Sequence, residues 1–107
     1  MKILIVEPDQ ERCLFLSTQL RVFGHEATRC ETAGVALEHF QQQQFLLILL
    51  NQKLPDMDGL DLCRKLRTLR NGNACMILML TEHEEPQILK SILEAGADDY
   101  LITPIRA

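Results

Sequence analysis

The segment FLLILLNQKLPDMDG, residues 45–59, decides the fold of this 107-residue chain. It begins as an uninterrupted apolar run, changes at Asn51 to polar residues, and ends in Pro55, Asp58 and Gly59. A short apolar run bounded by turn-forming residues is typical of a strand buried on both faces of a parallel sheet. Open α/β sheets place their sites at the carboxyl ends of such strands. The sequence therefore predicts a central strand with a site, or the remnant of one, around Asn51.

Length and composition indicate one compact domain over residues 1–107. Hydrophobic residues make up 47% of the chain, which is enough for a buried core and argues against disorder. The net charge of -4 and the absence of a basic stripe argue against nucleic-acid binding by this domain. Because no apolar segment suits a signal peptide or a membrane span, we expect a cytoplasmic location and no membrane contact.

The rest of the chain alternates between strand and helix patterns. Apolar or β-branched segments predict five strands, at about residues 2–6, 26–30, 46–50, 75–80 and 99–102. Apolar residues at helical spacing predict four intervening helices, the first from Gln10 to Phe23 with Phe23 on its apolar face. This alternation predicts parallel strands with helices on both faces. A fifth helix would be expected after the last strand, and we expect it to be absent from residues 1–107, as in a truncated chain or one covered by another surface.

Two further groups of residues are predicted to be structural. The cysteines form no C-x-x-C pair and have no metal-finger spacing to His, so reduced, buried thiols are expected at positions 13, 30, 63 and 75. Four basic residues of the third helix are predicted to form a solvated face rather than a binding patch: Arg64, Lys65, Arg67 and Arg70.

Four polar residues stand at the carboxyl ends of the first, third, fourth and fifth predicted strands: Glu7, Asn51, Thr81 and Thr103. With the segments ILIVE (3–7), LPDMDG (54–59), MLT (79–81) and AGADDYLITP (95–104), they resemble the response-regulator receiver (CheY-like) domain of two-component signalling. The resemblance implies an α/β, flavodoxin-like, doubly wound sheet of five parallel strands in the order 2-1-3-4-5. In that family an Asp after strand three accepts a phosphoryl group, and two acidic residues after strand one help to hold Mg²⁺. A Lys after strand five pairs with the phosphoryl group, and a Thr or Ser after strand four couples to an aromatic residue on strand five.

This sequence departs from the family pattern at the reacting positions. Asn51 stands at the phosphoacceptor position, Pro8 replaces one of the two acidic residues, and Thr103 replaces the Lys. A carboxamide is neutral and a poor nucleophile, so Asn51 is not expected to form an acyl phosphate. With Glu7 as the only surviving ligand, we expect no catalytic residue, no Mg²⁺ and no other cofactor. Three family positions are retained: Thr81, Tyr100 and Pro104, which follows the peptide bond that is typically cis in the family.

The altered pocket suggests a neutral hydrogen-bond network of Asn51, Thr81 and Thr103. Lys53 is expected to be solvated on the loop rim; the alternative is that its side chain reaches Glu7 and replaces the missing cation. Asp56 and Asp58 are interpreted as turn and helix-cap residues, and His83 as an exposed residue of an acidic loop.

These observations favour a phosphorylation-independent "pseudo-receiver" that is not an enzyme and acts as a protein-interaction domain through the surface around Tyr100. The expected partner is a histidine kinase, an output domain or another signalling protein, and homodimerisation is a secondary expectation. The alternatives are a variant receiver phosphorylated at Asp56, Asp58 or His83, and a small-molecule site in the vacated pocket. A receiver deliberately altered at its acceptor alone is disfavoured, because positions 8 and 103 depart as well.

Overall fold

The structure is a computed structural model that describes residues 1–104. Five strands form one parallel sheet in the order β2-β1-β3-β4-β5. The strands are β1 (Lys2–Val6), β2 (Glu26–Cys30), β3 (Leu47–Asn51), β4 (Met76–Thr81) and β5 (Asp99–Ile102). The predicted fold class and strand order are confirmed. The expectation of a missing fifth helix concerns the chain from position 105 onward, which lies outside the described residues.

Four helices connect the strands: α1 (Gln10–Val22), α2 (Ala33–Gln42), α3 (Gly59–Thr68) and α4 (Pro86–Glu94). Their amino termini follow the capping rules. The side chains of Asp9, Thr32 and Asp58 accept backbone N–H groups at the starts of α1, α2 and α3, and Pro86 begins α4. Within residues 1–104, no helix combines the length and the apolar character that crossing a membrane requires.

The core lies on both faces of the sheet, with β3 in the middle. On one face, Ile48 and Leu50 pack with α2, α3 and α4; on the other, Leu49 packs with α1. The prediction for Phe23 is wrong: it follows α1 as the cap residue and is 75% exposed, because the helix ends one residue before it.

The prediction for the cysteines is confirmed, whereas the prediction for Arg67 is wrong. All four cysteines are free and buried, as predicted, and burial raises the pKa of the Cys30 thiol to about 12. Arg67, however, does not belong to a solvated face. Its guanidinium donates to the backbone oxygens of Gly72, Cys75 and Gly96 and pairs with Asp98 at 2.8 Å. It therefore ties the end of α3 to the beginnings of β4 and β5.

Candidate functional site

The carboxylate of Glu7 is the centre of the polar cluster at the carboxyl edge of the sheet. Glu7 follows β1 directly and is fully buried. The side-chain amide of Asn51 donates to both of its oxygens at 2.9 Å, and the Arg12 guanidinium donates to Oε1 at 2.9 Å. The backbone N–H of Asp9 donates to Oε2 at 3.2 Å. A buried carboxylate is stable only when paired and hydrogen-bonded, and these donors meet both conditions.

Arg12 is the member of this polar cluster that the sequence analysis missed. It lies in the first turn of α1, which Asp9 caps by accepting the backbone N–H of Arg12 at 3.1 Å. From there its side chain, 22% exposed, folds back over the end of β1 to Glu7. A signal was present in the sequence, because the first turn of a helix favours acidic residues and disfavours a cation. An Arg at this position therefore needs a partner of its own.

Asn51 is held from both ends of its carboxamide. Its amide nitrogen is bound to Glu7, and its Oδ1 accepts the backbone N–H of Lys53 at 2.8 Å. The side chain of Lys53 is exposed, as expected. The alternative, in which Lys53 supplies the missing cation, is wrong, because the ion-pair partner of Glu7 is Arg12.

The predicted neutral network of Asn51, Thr81 and Thr103 is also wrong in composition. The hydroxyl of Thr81 donates to the side-chain oxygen of Gln52 at 2.6 Å and accepts the backbone N–H of His83 at 3.1 Å. Thr103 is buried, and its backbone N–H donates to the Thr81 carbonyl at 2.7 Å. The two threonines are thus linked, but Asn51 belongs to a separate, charged cluster. The sequence could not show this division, since it depends on side-chain directions at the edge of the sheet.

Asp56 and Asp58 are helix-capping residues, as interpreted from the sequence. The carboxylate of Asp56 accepts the backbone N–H groups of Ala33 at 2.9 Å and Gly34 at 3.0 Å, at the start of α2. These two bonds, from Ala33 and then Gly34, lower the pKa of Asp56. Asp58 accepts the N–H of Leu60 at 2.8 Å and begins α3. The loop after β3 is therefore attached to two helices.

An open cleft of about 450 Å³ lies above these residues. Its walls include Glu7, Pro8, Arg12 and Asn51. Charged and histidine residues of the surrounding loops also line it: Asp9, Lys53, Asp58, Glu82 and His83. Within the part of the chain that the structure describes, every buried side-chain nitrogen and oxygen has a hydrogen-bond partner. In that same part, no three His, Cys, Asp or Glu side chains are grouped as metal ligands.

The surface of α4 and β5 lies beside the cleft. Tyr100 is half-buried and packs against the larger core cluster, while Leu93 of α4 and Leu101 of β5 are more than 40% exposed. β5 is one of the two edge strands of the sheet. The bond between Thr103 and Pro104, which follows this strand, is cis.

Comparison with known proteins finds similar proteins of two-component signalling. A response regulator receiver domain family model matches residues 3–107. The chain is 32% identical to the sensor protein GacS of Pseudomonas syringae and 34% identical to the response regulator RppA of Synechocystis, in each case over 97% of its length. It spans only 12% of the first of these proteins and 44% of the second.

Solved structures agree with this assignment. A two-component response regulator from Clostridium difficile superposes with a TM-score of 0.92 at 33% identity, covering 99% of this chain and 85% of the other. The receiver domain of a Pseudomonas aeruginosa sensor histidine kinase, described with a magnesium ion coordinated in its active-site cleft, gives 0.88 at 28% identity, covering 98% and 86%. The fold, the edge-of-sheet site and these matches together show that the chain belongs to the response regulator receiver domain family.

Proposed function

We propose that this receiver domain acts without phosphorylation, as a protein-interaction domain of a two-component type signalling system. The observation that carries the proposal is the position and bonding of Asn51. It ends β3 and uses its carboxamide to bridge Glu7 and the backbone of Lys53. A carboxamide does not form an acyl phosphate, and this one is already held at both ends.

The residues around Glu7 also do not fit Mg²⁺. Magnesium takes near-octahedral oxygen ligands and loses its water reluctantly, so it needs free carboxylate oxygens. Both oxygens of Glu7 accept side-chain donors, and one of these belongs to the Arg12 cation. Pro8, which lines the same cleft, supplies no ligand side chain. We therefore propose that the domain uses neither Mg²⁺ nor another cofactor and catalyses no reaction.

The interaction surface that we propose is formed by α4 and β5 around Tyr100. Its support is the half-buried Tyr100 and the exposed Leu93 beside an unpaired strand edge, since such edges and patches mark contact surfaces. Relatives of this chain are a sensor protein and response regulators, and they are longer than the chain itself. We accordingly propose a histidine kinase, an output domain or another signalling protein as the partner, with homodimerisation as a second arrangement.

Phosphorylation at a substitute residue is less well supported. Asp56 uses both carboxylate oxygens to hold the start of α2, and Asp58 caps α3. His83 is half exposed at the rim of the cleft and lies 3.4 Å from Glu85. Both aspartates are therefore engaged as caps, which leaves His83, with Glu85 as its neighbour, as the substitute acceptor to be tested.

The proposal is tested by incubating the protein with Mg²⁺ and acetyl phosphate and recording its intact mass. We expect no phosphoryl adduct. A stoichiometric adduct would contradict the proposal, and its stability would identify the acceptor, because phosphohistidine is acid-labile and acyl phosphates are lost in base. A receiver domain with an acceptor Asp, treated in parallel, provides the positive control.

A further inference from the structure

We infer that Arg12 is the permanent counter-ion of this pocket: its guanidinium supplies the positive charge at Glu7 and excludes a divalent cation. This inference deepens the proposed function and rests on it, because it explains how the pocket remains stable with no metal or phosphoryl group. It assigns a positioning role to a residue of α1, away from every position that the family resemblance marks.

The geometry favours a direct electrostatic role for Arg12. Glu7 is completely buried, whereas the side chain of Arg12 is 22% exposed, and the two are 2.9 Å apart. The carboxylate therefore depends on the guanidinium for its charge balance, while Arg12 remains partly solvated. Asn51 and the N–H of Asp9 supply hydrogen bonds to Glu7 but no compensating charge. Among the described residues, Arg12 is the only basic side chain that contacts Glu7.

The position of Arg12 costs local stability, which indicates that its contact with Glu7 matters. As the third residue of α1 it stands at the positive end of the helix dipole, where a cation is unfavourable. The Asp9 cap and Glu11 offset part of this cost, and Glu7 offsets more because its carboxylate is buried and lies 2.9 Å from the guanidinium. A cation held this close to a carboxylate also repels Mg²⁺, so the same contact that stabilises Glu7 blocks the metal.

A double-mutant cycle, in which thermal unfolding is measured in EDTA, tests the pairing of Arg12 with Glu7. Arg12→Gln, Glu7→Gln and the double variant are compared with wild type, and Arg21→Gln, an exposed Arg of the same helix, is the control. We expect Arg12→Gln to lower the unfolding midpoint by about 8 °C or more, and Arg21→Gln by less than about 3 °C. In the Glu7→Gln background, loss of Arg12 should cost less than half as much. Equal costs of Arg12→Gln in both backgrounds, or a cost no larger than that of Arg21→Gln, would overturn the inference.

A second experiment tests the exclusion of metal, with Mg²⁺ alone as the probe. Pro8→Asp, Asn51→Asp and Thr103→Lys are introduced together, and Mg²⁺ affinity is measured by calorimetry with Arg12 present and with Arg12→Gln. We expect the Arg12→Gln form to bind at least about tenfold more tightly, because a nearby positive charge is removed. Equal affinities, or no Mg²⁺ binding by either form, would refute the exclusion of metal by Arg12. Failure of the proposed function is a separate result, since it is a phosphoryl adduct on the wild-type protein.

Discussion

Restoring an acid at the acceptor position is expected to destabilise this domain. Asn51→Asp replaces the side-chain amide nitrogen by an oxygen. It thereby converts a donor to Glu7 into a second carboxylate at hydrogen-bonding distance. Two charge-assisted hydrogen bonds, each contributing about 1.5–3 kcal/mol, are replaced by repulsion between like charges. Arg12 offsets part of that repulsion because it is already paired with Glu7. We expect a loss of about 3 kcal/mol in the free energy of unfolding at neutral pH, at the lower end of the cost of breaking a buried pair.

Urea unfolding followed by circular dichroism measures this loss, in EDTA so that no metal compensates. With a typical slope of ~1.5 kcal/mol per molar urea, the midpoint should fall by about 2 M. Asn73→Asp, the same chemical change at an exposed position, should change stability by less than about 0.5 kcal/mol. An Asn51→Asp variant as stable as the Asn73→Asp control would refute the reasoning, because it would show that Glu7 does not depend on the donors of Asn51.

Three further predictions concern the residues that shape the fold around the site. Arg67→Met should lower the free energy of unfolding by about 2–3 kcal/mol, because three backbone oxygens and the Asp98 carboxylate each lose a donor. In the same urea assay, Arg64→Met on the exposed face should lower it by less than about 0.5 kcal/mol. Gly59→Ala should lower the free energy of unfolding by at least about 2 kcal/mol, because the new Cβ would lie 2.5 Å from the backbone oxygen of Asn51. Gly34→Ala should raise it by about 0.5–1 kcal/mol, because the new Cβ would lie at an ordinary contact distance, 3.5 Å, from Asp56 Oδ2. Equal effects of the two substitutions would contradict this prediction. Asp56→Asn should lower the unfolding midpoint at neutral pH. Because folding lowers the pKa of Asp56, the difference from wild type should be complete above the ordinary pKa of 3.8 and should disappear as the pH falls through the lowered value. A difference that does not depend on pH would exclude the charge as its cause.

The sequence predicted the framework well because the framework depends on local patterns. The apolar run before Asn51 indicated a strand buried on both faces, and it is the middle strand of the sheet. Asp58 was recognisable as a helix cap because capping is a relation between residues two or three positions apart. Phe23 shows the limit of such patterns, because helical spacing continues past the point where the helix ends.

The site was predicted in place but not in its contacts. Parallel topology alone brings Glu7, Asn51, Thr81 and Thr103 to one edge of the sheet. Which of them bond to each other depends on long side chains that can reach several partners, and sequence spacing does not settle that choice. Arg12 was therefore missed, although a lone Glu7 with neither Mg²⁺ nor a Lys at position 103 left its charge to be balanced by some other group. Lys53 was considered for that role because of its position in the loop, and its side chain points to solvent instead.

Independence from phosphorylation is tested most directly by an amide-resolved titration of the wild-type protein with beryllofluoride in the presence of Mg²⁺. Beryllofluoride mimics a phosphoryl group on an acceptor carboxylate, so it reports on metal binding and acceptor chemistry together. We expect no saturable shifts in the amide signals of Asn51, Thr81 and Thr103, at any Mg²⁺ concentration that leaves the fold intact. Saturable shifts of these three signals that require both Mg²⁺ and beryllofluoride would contradict this independence.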